Sequence, residues 1–380
     1  MDTADEPMLD ERIPHLATVV PATLAALGVD GCPDPLGFPE LTGACVLLVD
    51  GLGWELLEQH AADAPVLAGL RRRPLRVGYP ATTVAGLSAI GTGVPSGEHG
   101  MAGYSFEVPG AGVLNALRWC GHPGGEDLRG VAVPEEVQPL PTTFATAAAA
   151  GLAVHVVSAA EYKHSALTRA VLRGGRYVGV HALGDLAARA LAAIDAPGSF
   201  CYAYHSELDM LGHVYGPGSP EWRMQLRQVD RLVESLVAGL RPGTMLAVVA
   251  DHGMVALDDT AVDADDTPEL LAGVRAIGGE VRARHVYTED GAAGDVLAAW
   301  QETLGVRAWV LPREEAITRG WFGPRVADHA RPRIGDVVAA ARGRSGVLRE
   351  LAEPVESAMR GQHGSLTSAE QLVPLALAYG

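Results

Sequence analysis

Four short runs of this chain are apolar almost without interruption: Ala44–Val49 (ACVLLV), Leu152–Val157 (LAVHVV), Ser199–His205 (SFCYAYH) and Met245–Ala250 (MLAVVA). A strand with one face in water alternates apolar and polar side chains, whereas a strand covered on both faces need not. The runs end in polar or glycine-rich turns, and helical patterns lie between them at residues 52–60, Asp185–Ala193 and Glu221–Leu240. Doubly covered strands separated by helices predict an α/β fold with a mainly parallel central sheet flanked by helices. At 380 residues there is room for one such domain with a smaller one inserted.

The texture changes after about residue 257. An acidic connector, DDTAVDADDTPE, precedes a strand-like run at Gly279–Tyr287, a helix near Gly294–Leu304, and strand-like runs at Val306–Leu311 and Ile334–Ala341. Residues 256–345 are therefore expected to form a small α/β cap inserted into a core made of 1–255 and 346–380.

In open parallel sheets, ligands bind beyond the carboxyl ends of the strands. Asp50 follows the first run directly (VDGLGW), and Asp251 and His252 follow the last (ADHGM). Asp209 and His213 lie just beyond SFCYAYH, in ELDMLGHVYGPG, and share a face if that segment is helical. His363 stands in GQHGS near the C-terminus. Each has a bland reading by itself, since Asp-Gly is a common turn and a lone His is usually structural. As a set they are the mixed oxygen and nitrogen ligands that Zn²⁺ or Mn²⁺ takes, and six such ligands suffice for two divalent metals with positions left open. Two metals about 4 Å apart clamp the attacking and leaving oxygens of a phosphoryl transfer. The stretch YPATTVAGLS supplies two threonines, Thr82 and Thr83, at the expected start of a helix. Either hydroxyl can cap the helix, or become a nucleophile beside a metal.

Charge narrows the choice of partner. Forty-six acidic against 29 basic residues give a formal net charge of −17, which disfavours a nucleic-acid polymer or an anionic membrane surface. Lys163 is the only lysine. Cys32, Cys45, Cys120 and Cys201 form no CxxC, and Cys45 and Cys201 read as buried thiols. The acidic start, MDTADEPMLDERIPH, has no apolar h-region, and the apolar run Phe144–Val157 is too short to span a bilayer. A soluble, cytoplasmic protein is expected. No feature of the sequence sets its oligomeric state.

VDGLGW, YPATT, the D-x-x-x-H-x-x-G-P run from Asp209 to Pro217, DHGM and the late HG occur in one order from Val46 to Gly364. Together they resemble the alkaline phosphatase superfamily, and within it the nucleotide pyrophosphatase/phosphodiesterase (type I phosphodiesterase) branch. The resemblance implies an alkaline-phosphatase-like core and a nucleophile two residues beyond the aromatic-Pro pair and its neighbour, which is Thr83, leaving Thr82 to cap the helix or trim the pocket. It also implies one metal on Asp50, Asp251, His252 and the Thr83 oxygen, and a second on Asp209, His213 and His363, with zinc the expected ion and manganese the alternative. The implied reaction is hydrolysis of a small-molecule phosphodiester or phosphoanhydride, such as a nucleotide, through a covalent phospho- or nucleotidyl-threonine. One departure stands out. Where the branch places an Asn on a phosphate oxygen, this chain has Tyr104; Asn115 is the alternative donor. Tyr162 and Lys163, in EYKHSALTR, are further candidates to face the substrate. His99, His122, His155, His164 and His285 have no ligand-like company and read as structural or exposed. A phosphomonoesterase on the same scaffold is the alternative reading, but a dianionic ester calls for extra positive charge that no motif fixes beside Thr83. A catalytically silent metal-binding protein is the remaining one.

Overall fold

The computed structural model describes residues 7–380, so the first six residues of the acidic N-terminal stretch lie outside it. In chain order, the strands of its two principal sheets are β1 (Gly43–Val49), β2 (Arg71–Arg76), β3 (Ala153–Ala159), β4 (Arg176–Val180), β5 (Ser199–His205), β6 (Thr244–Val249), β7 (Val274–Glu280), β8 (Ala283–Thr288), β9 (Ala308–Pro312), β10 (Val337–Ala341) and β11 (Leu372–Tyr379). The central sheet runs β2-β11-β6-β1-β5-β3-β4. Pairings from β6 through β1, β5 and β3 to β4 are parallel, and β11 is antiparallel to both its neighbours. Every residue of β1 and β6 is buried, as their unbroken apolar sequences require. Cys45 and Cys201 face one another across the β1/β5 register as buried free thiols.

The helices follow the same logic. In α3 (Pro220–Ala238) the buried residues Trp222, Leu226, Val229, Val233 and Leu236 recur at alternating steps of four and three, a stripe along one side. Its start is set by Pro220 in the first turn and by Ser219, whose hydroxyl accepts from the Trp222 amide at 3.3 Å. The two helices that matter most for function are α1 (Thr83–Thr92) and α2 (Glu207–Tyr215), the latter beginning two residues after β5.

The second sheet, β7-β8-β10-β9, is wholly antiparallel and has an apolar cluster of its own around Ile277, Val286, Trp300 and Val337. Here one expectation changes. The single strand-like run at 279–287 is a hairpin, turning at Val281 and Arg282 between β7 and β8. Neither is a usual turn residue; Arg282 and Arg284 instead reach buried carboxylates, a tertiary cause that the local sequence does not show. The arginine-rich segment 71–76 is the strand β2 at the sheet's edge, paired to β11. Arginine side chains and Pro74 suit an edge that must not recruit a further strand.

Buried ion pairs hold the second sheet on the first. The Arg282 guanidinium meets Glu370, just before β11, at 2.6 Å, and both side chains are fully buried. Arg284 meets Glu353 at 2.8 Å, and Glu353 also pairs with His122 at 2.8 Å. Burial works to push the Glu353 carboxyl up, but Arg284 and His122 hold it down at about 2. Because the folded value lies below the unfolded one, about 4.3, the pairing stabilises fully above that pH and is lost as pH falls toward about 2. Glu353→Gln, which strands the Arg284 charge, is expected to cost roughly 3 kcal/mol near neutral pH. Thermal melts of both proteins from pH 7 to pH 3 check this; a gap in Tm that does not narrow with acid contradicts it.

Candidate active site

The parallel register of β5, β1 and β6 delivers three segments to one edge of the sheet. Leu48 pairs with Val249 and Val49 with His205, so Asp50, Asp251 and the start of α2 emerge side by side. Two glycines permit the approach. Gly51 has φ +72°, and a Cβ there would lie 2.9 Å from the Asp209 Cβ. A Cβ on Gly86, one turn into α1, would lie 2.4 Å from the Asp251 Cβ. Without a side chain at these points α1, α2 and the β1 turn close on the same few ångströms.

The six Asp and His residues resolve into two groups, Asp50 with Asp251 and His252, and Asp209 with His213 and His363. In each, one ligand atom per residue lies within 4.8 Å of the others. The three imidazoles are oriented alike. Nδ1 of His252 donates to Gly253 O at 2.9 Å, that of His213 to Gly361 O at 2.7 Å, and that of His363 to Ala81 O at 2.9 Å. A proton fixed at Nδ1 leaves the Nε2 lone pair facing inward, the usual arrangement of a metal-ligating histidine. His252 Nε2 lies 3.3 Å from Asp50 Oδ1, and His213 Nε2 lies 3.2 Å from Asp209 Oδ2. The His252 and His363 rings stack with centroids 3.6 Å apart, which brings the two groups together.

Whether these residues suit a cation can be judged from the carboxylates. Asp50 Oδ1, Asp209 Oδ1 and Asp251 Oδ2 are shut off from solvent and have no hydrogen-bond partner. Their other oxygens are used: Asp50 Oδ2 accepts from the Tyr204 hydroxyl, and Asp251 Oδ1 accepts from the Gly51 and His252 amides at 3.2 and 3.1 Å. Three dry, unpaired carboxylate oxygens facing three imidazole lone pairs fit divalent cations well. With protons alone the cluster is conflicted. Burial and then the Asp50 charge push Asp251 well up. Burial opposes the proton on His252, yet Asp251 and Asp50 carry it well above its ordinary value. Burial and the neighbouring His252 drive His363 well down.

Thr83 opens α1, and its Oγ1 lies 3.2 Å from His252 Nε2, beside the Asp50 group. Thr82 precedes it in extended conformation and makes no side-chain cap bond. Its side chain instead faces the cleft, where it meets Glu280; of the two roles expected of it, cap or pocket wall, it has the second. The cleft, ≈ 470 Å³, holds Thr82, Thr83, Asp50, Asp209, His213 and His363 in its wall. Among the other candidates the structure brings in Tyr104 and Tyr162 but leaves Asn115 and Lys163 out of that wall. Lys163 is exposed. Asn115 sits behind Tyr104: its Oδ1 accepts from the Leu117 and Arg118 amides at 3.1 and 3.0 Å, and its side chain also hydrogen-bonds the Tyr104 hydroxyl. Tyr104 donates to Glu356 Oε1 at 2.7 Å, and its ring meets the edge of His122. His285, read as structural, is so: its ring is held between Ala102 O and the Gly335 amide.

Sequence reasoning missed Tyr204, Arg118, Glu280 and Glu356, which also line the cleft. Tyr204 had a signal, as the penultimate residue of a strand whose end carries ligands. Burial and the Asp50 charge keep its hydroxyl protonated, so it holds Asp50 with Oδ1 turned inward. Glu280 and Glu356 belong to no motif and come from segments distant in sequence.

The model of the family described as type I phosphodiesterase / nucleotide pyrophosphatase matches residues 44–366. A human protein, ectonucleotide pyrophosphatase/phosphodiesterase family member 7, is 45% identical over 65 residues, a stretch that is 16% of this chain and only 14% of that relative. The fold is similar to that of murine ectonucleotide pyrophosphatase/phosphodiesterase 5, solved as an inactive threonine-to-alanine variant with AMP: TM-score 0.66, 17% identity, covering 88% of this chain and 87% of that one. Phosphonoacetate hydrolase from Sinorhizobium meliloti 1021, in complex with phosphonoformate, has TM-score 0.66 at 21% identity over 90% and 91% of the two chains.

If the two groups hold separate ions, Asp209→Ala should reduce bound divalent metal from two per chain to one. Elemental analysis of protein purified with zinc or manganese reads this directly. Two ions retained would mean that Asp209 is no ligand.

Proposed function

The chain belongs to the type I phosphodiesterase / nucleotide pyrophosphatase family, and on that premise we propose that it hydrolyses a small-molecule phosphodiester with Thr83 as nucleophile. The observation that carries this reading is Thr83 Oγ1 lying 3.2 Å from His252 Nε2, in a cleft whose wall also holds Asp209, His213 and His363. Thr83 Oγ1 forms a bond to phosphorus as the bond to the leaving oxygen breaks, giving a phosphothreonine ester. Water then cleaves that ester and restores the hydroxyl. Two divalent cations, zinc or manganese, one at each group, would favour the ionised threonine and offset charge on the leaving oxygen. The first-turn amides of a helix have no partner within it, so the start of α1 at Thr83 favours an anion.

The rest of the cleft supports a diester. Arg118 is the one guanidinium in its wall among the described residues, alongside the carboxyl of Glu356. A phosphoanhydride with further phosphates, or a dianionic monoester, would lack counter-charge there. The rim is apolar instead: Leu117, Met210, Val214 and Val355 are 43%, 53%, 52% and 59% exposed. Such a rim suits the organic group of an ester, a nucleoside among them. We take residues 256–345 as a cap, which contributes Glu280 and Val281 to this wall. Among the described residues no helix is long and apolar enough to cross a membrane, in keeping with a diffusible substrate.

Protein loaded with Zn²⁺ or Mn²⁺ should turn over bis-p-nitrophenyl phosphate faster than p-nitrophenyl phosphate. Preference for the monoester would defeat the diesterase reading, and no turnover of either would defeat the enzyme reading. Thr83→Ala should abolish turnover with both metals still bound, while Thr82→Ala should cost less than about tenfold, the worth of one lost hydrogen bond. A dead Thr82→Ala with an active Thr83→Ala would transfer the nucleophile's role to Thr82.

A further inference from the structure

We propose that Glu280 is a substrate-binding residue: its carboxyl, entering the cleft from the β7–β8 hairpin, donates a hydrogen bond to a non-bridging oxygen of the phosphoryl group that Thr83 attacks. The identity of that group rests on the reading above; the placement of Glu280 does not.

Two hydrogen bonds stitch the segment before Thr83 to the His363 loop, Ala81 N–H to Gly364 O at 2.9 Å and His363 Nδ1–H to Ala81 O at 2.9 Å. Glu280 lies over this seam. A Cβ on Gly364 would come within 2.9 Å of its Cγ, and one on Gly103 within 3.8 Å of its Oε1. From there the side chain meets Thr82 and lines the cleft together with Thr83 and His363. Its Oε1 is nevertheless out of contact with solvent and has no hydrogen-bond partner. A dry carboxyl oxygen left unpaired is costly, and it is best explained at a site whose ligand completes it.

The proton needed for donation is available. Burial pushes the Glu280 carboxyl up to about 8, and Glu370 adds to the rise; Thr82, His252 beyond β6 and Arg284 on β8 pull it back. Protonated, the group can donate to a phosphate oxygen without repelling it. An ionised carboxylate in the same place would oppose every phosphate ester.

The test compares metal-loaded wild type with Glu280→Ala and Glu280→Gln. Calorimetric titration with inorganic phosphate should show affinity reduced about tenfold in the alanine variant, the worth of one hydrogen bond, and held within about threefold in the glutamine variant, which keeps a donor. The kcat/KM for bis-p-nitrophenyl phosphate should follow the same order. Metal content and Tm identify a variant that has lost its fold; the near-isosteric glutamine keeps the comparison usable if alanine does. Glutamine as damaging as alanine would mean that a carboxylate is required, and wild-type affinity in Glu280→Ala would mean no contact; either overturns the proposal. Phosphate binding that depends on Glu280 in a protein that turns over no ester would leave this inference standing and remove the diesterase reading.

Discussion

Everything at the site depends on the parallel hydrogen bonding of β1 between β5 and β6. That arrangement ends three buried strands at one level, so the residues just past them, Asp50, Asp251 and His252, with Asp209 one helical turn further on, have nowhere to go but toward each other. Three carboxylates in a space this dry repel one another and lack the water that would solvate them. The protein satisfies one oxygen of Asp50 and of Asp251 with fixed donors and leaves the other bare, while the imidazoles are turned by main-chain carbonyls to face the gap. Such a cluster is stable as a cation site and awkward as anything else.

The second sheet completes the cleft rather than the cluster. Its hairpin carries alternating duties: Arg282 and Arg284 point into buried carboxylates that anchor it, and Glu280, at the end of the neighbouring strand, reaches the cleft. Glu353 links this anchor to His122, which packs against Tyr104, which in turn is held by Glu356 and Asn115. Docking of the second sheet and the shape of the substrate wall are therefore one connected structure. The meeting of Arg118, Glu280 and Glu356 under an apolar rim is a property of the assembled wall, not of any one segment.

What could be read from the sequence was whatever depended on local pattern. Unbroken apolar runs declared doubly covered strands, and β5 runs from Ser199 to His205 as expected because both ends carry a change of character. The six candidate ligands were legible because each lies directly after such a run or in a short motif. The arginine edge strand β2 was not, since its residues lack the composition of a strand and pair only through β11. The β7–β8 turn was equally hidden, being flanked by arginines paired with residues 88 and 69 positions away.

By itself, then, the sequence determined the class of fold, the residues able to hold metal, and a choice of two threonines, because those follow from burial patterns and side-chain chemistry within a few residues. Tertiary structure alone decided that these Asp and His residues fall into two groups of three, that Thr83 and not Thr82 faces His252, and that Tyr104 is committed to Glu356 and Asn115. It also alone brought Glu280 to the seam beside the threonines. The reason is geometric: distances of 3 to 4 Å between residues hundreds of positions apart are set by strand register and by helix approach at Gly51 and Gly86, and no local pattern encodes them.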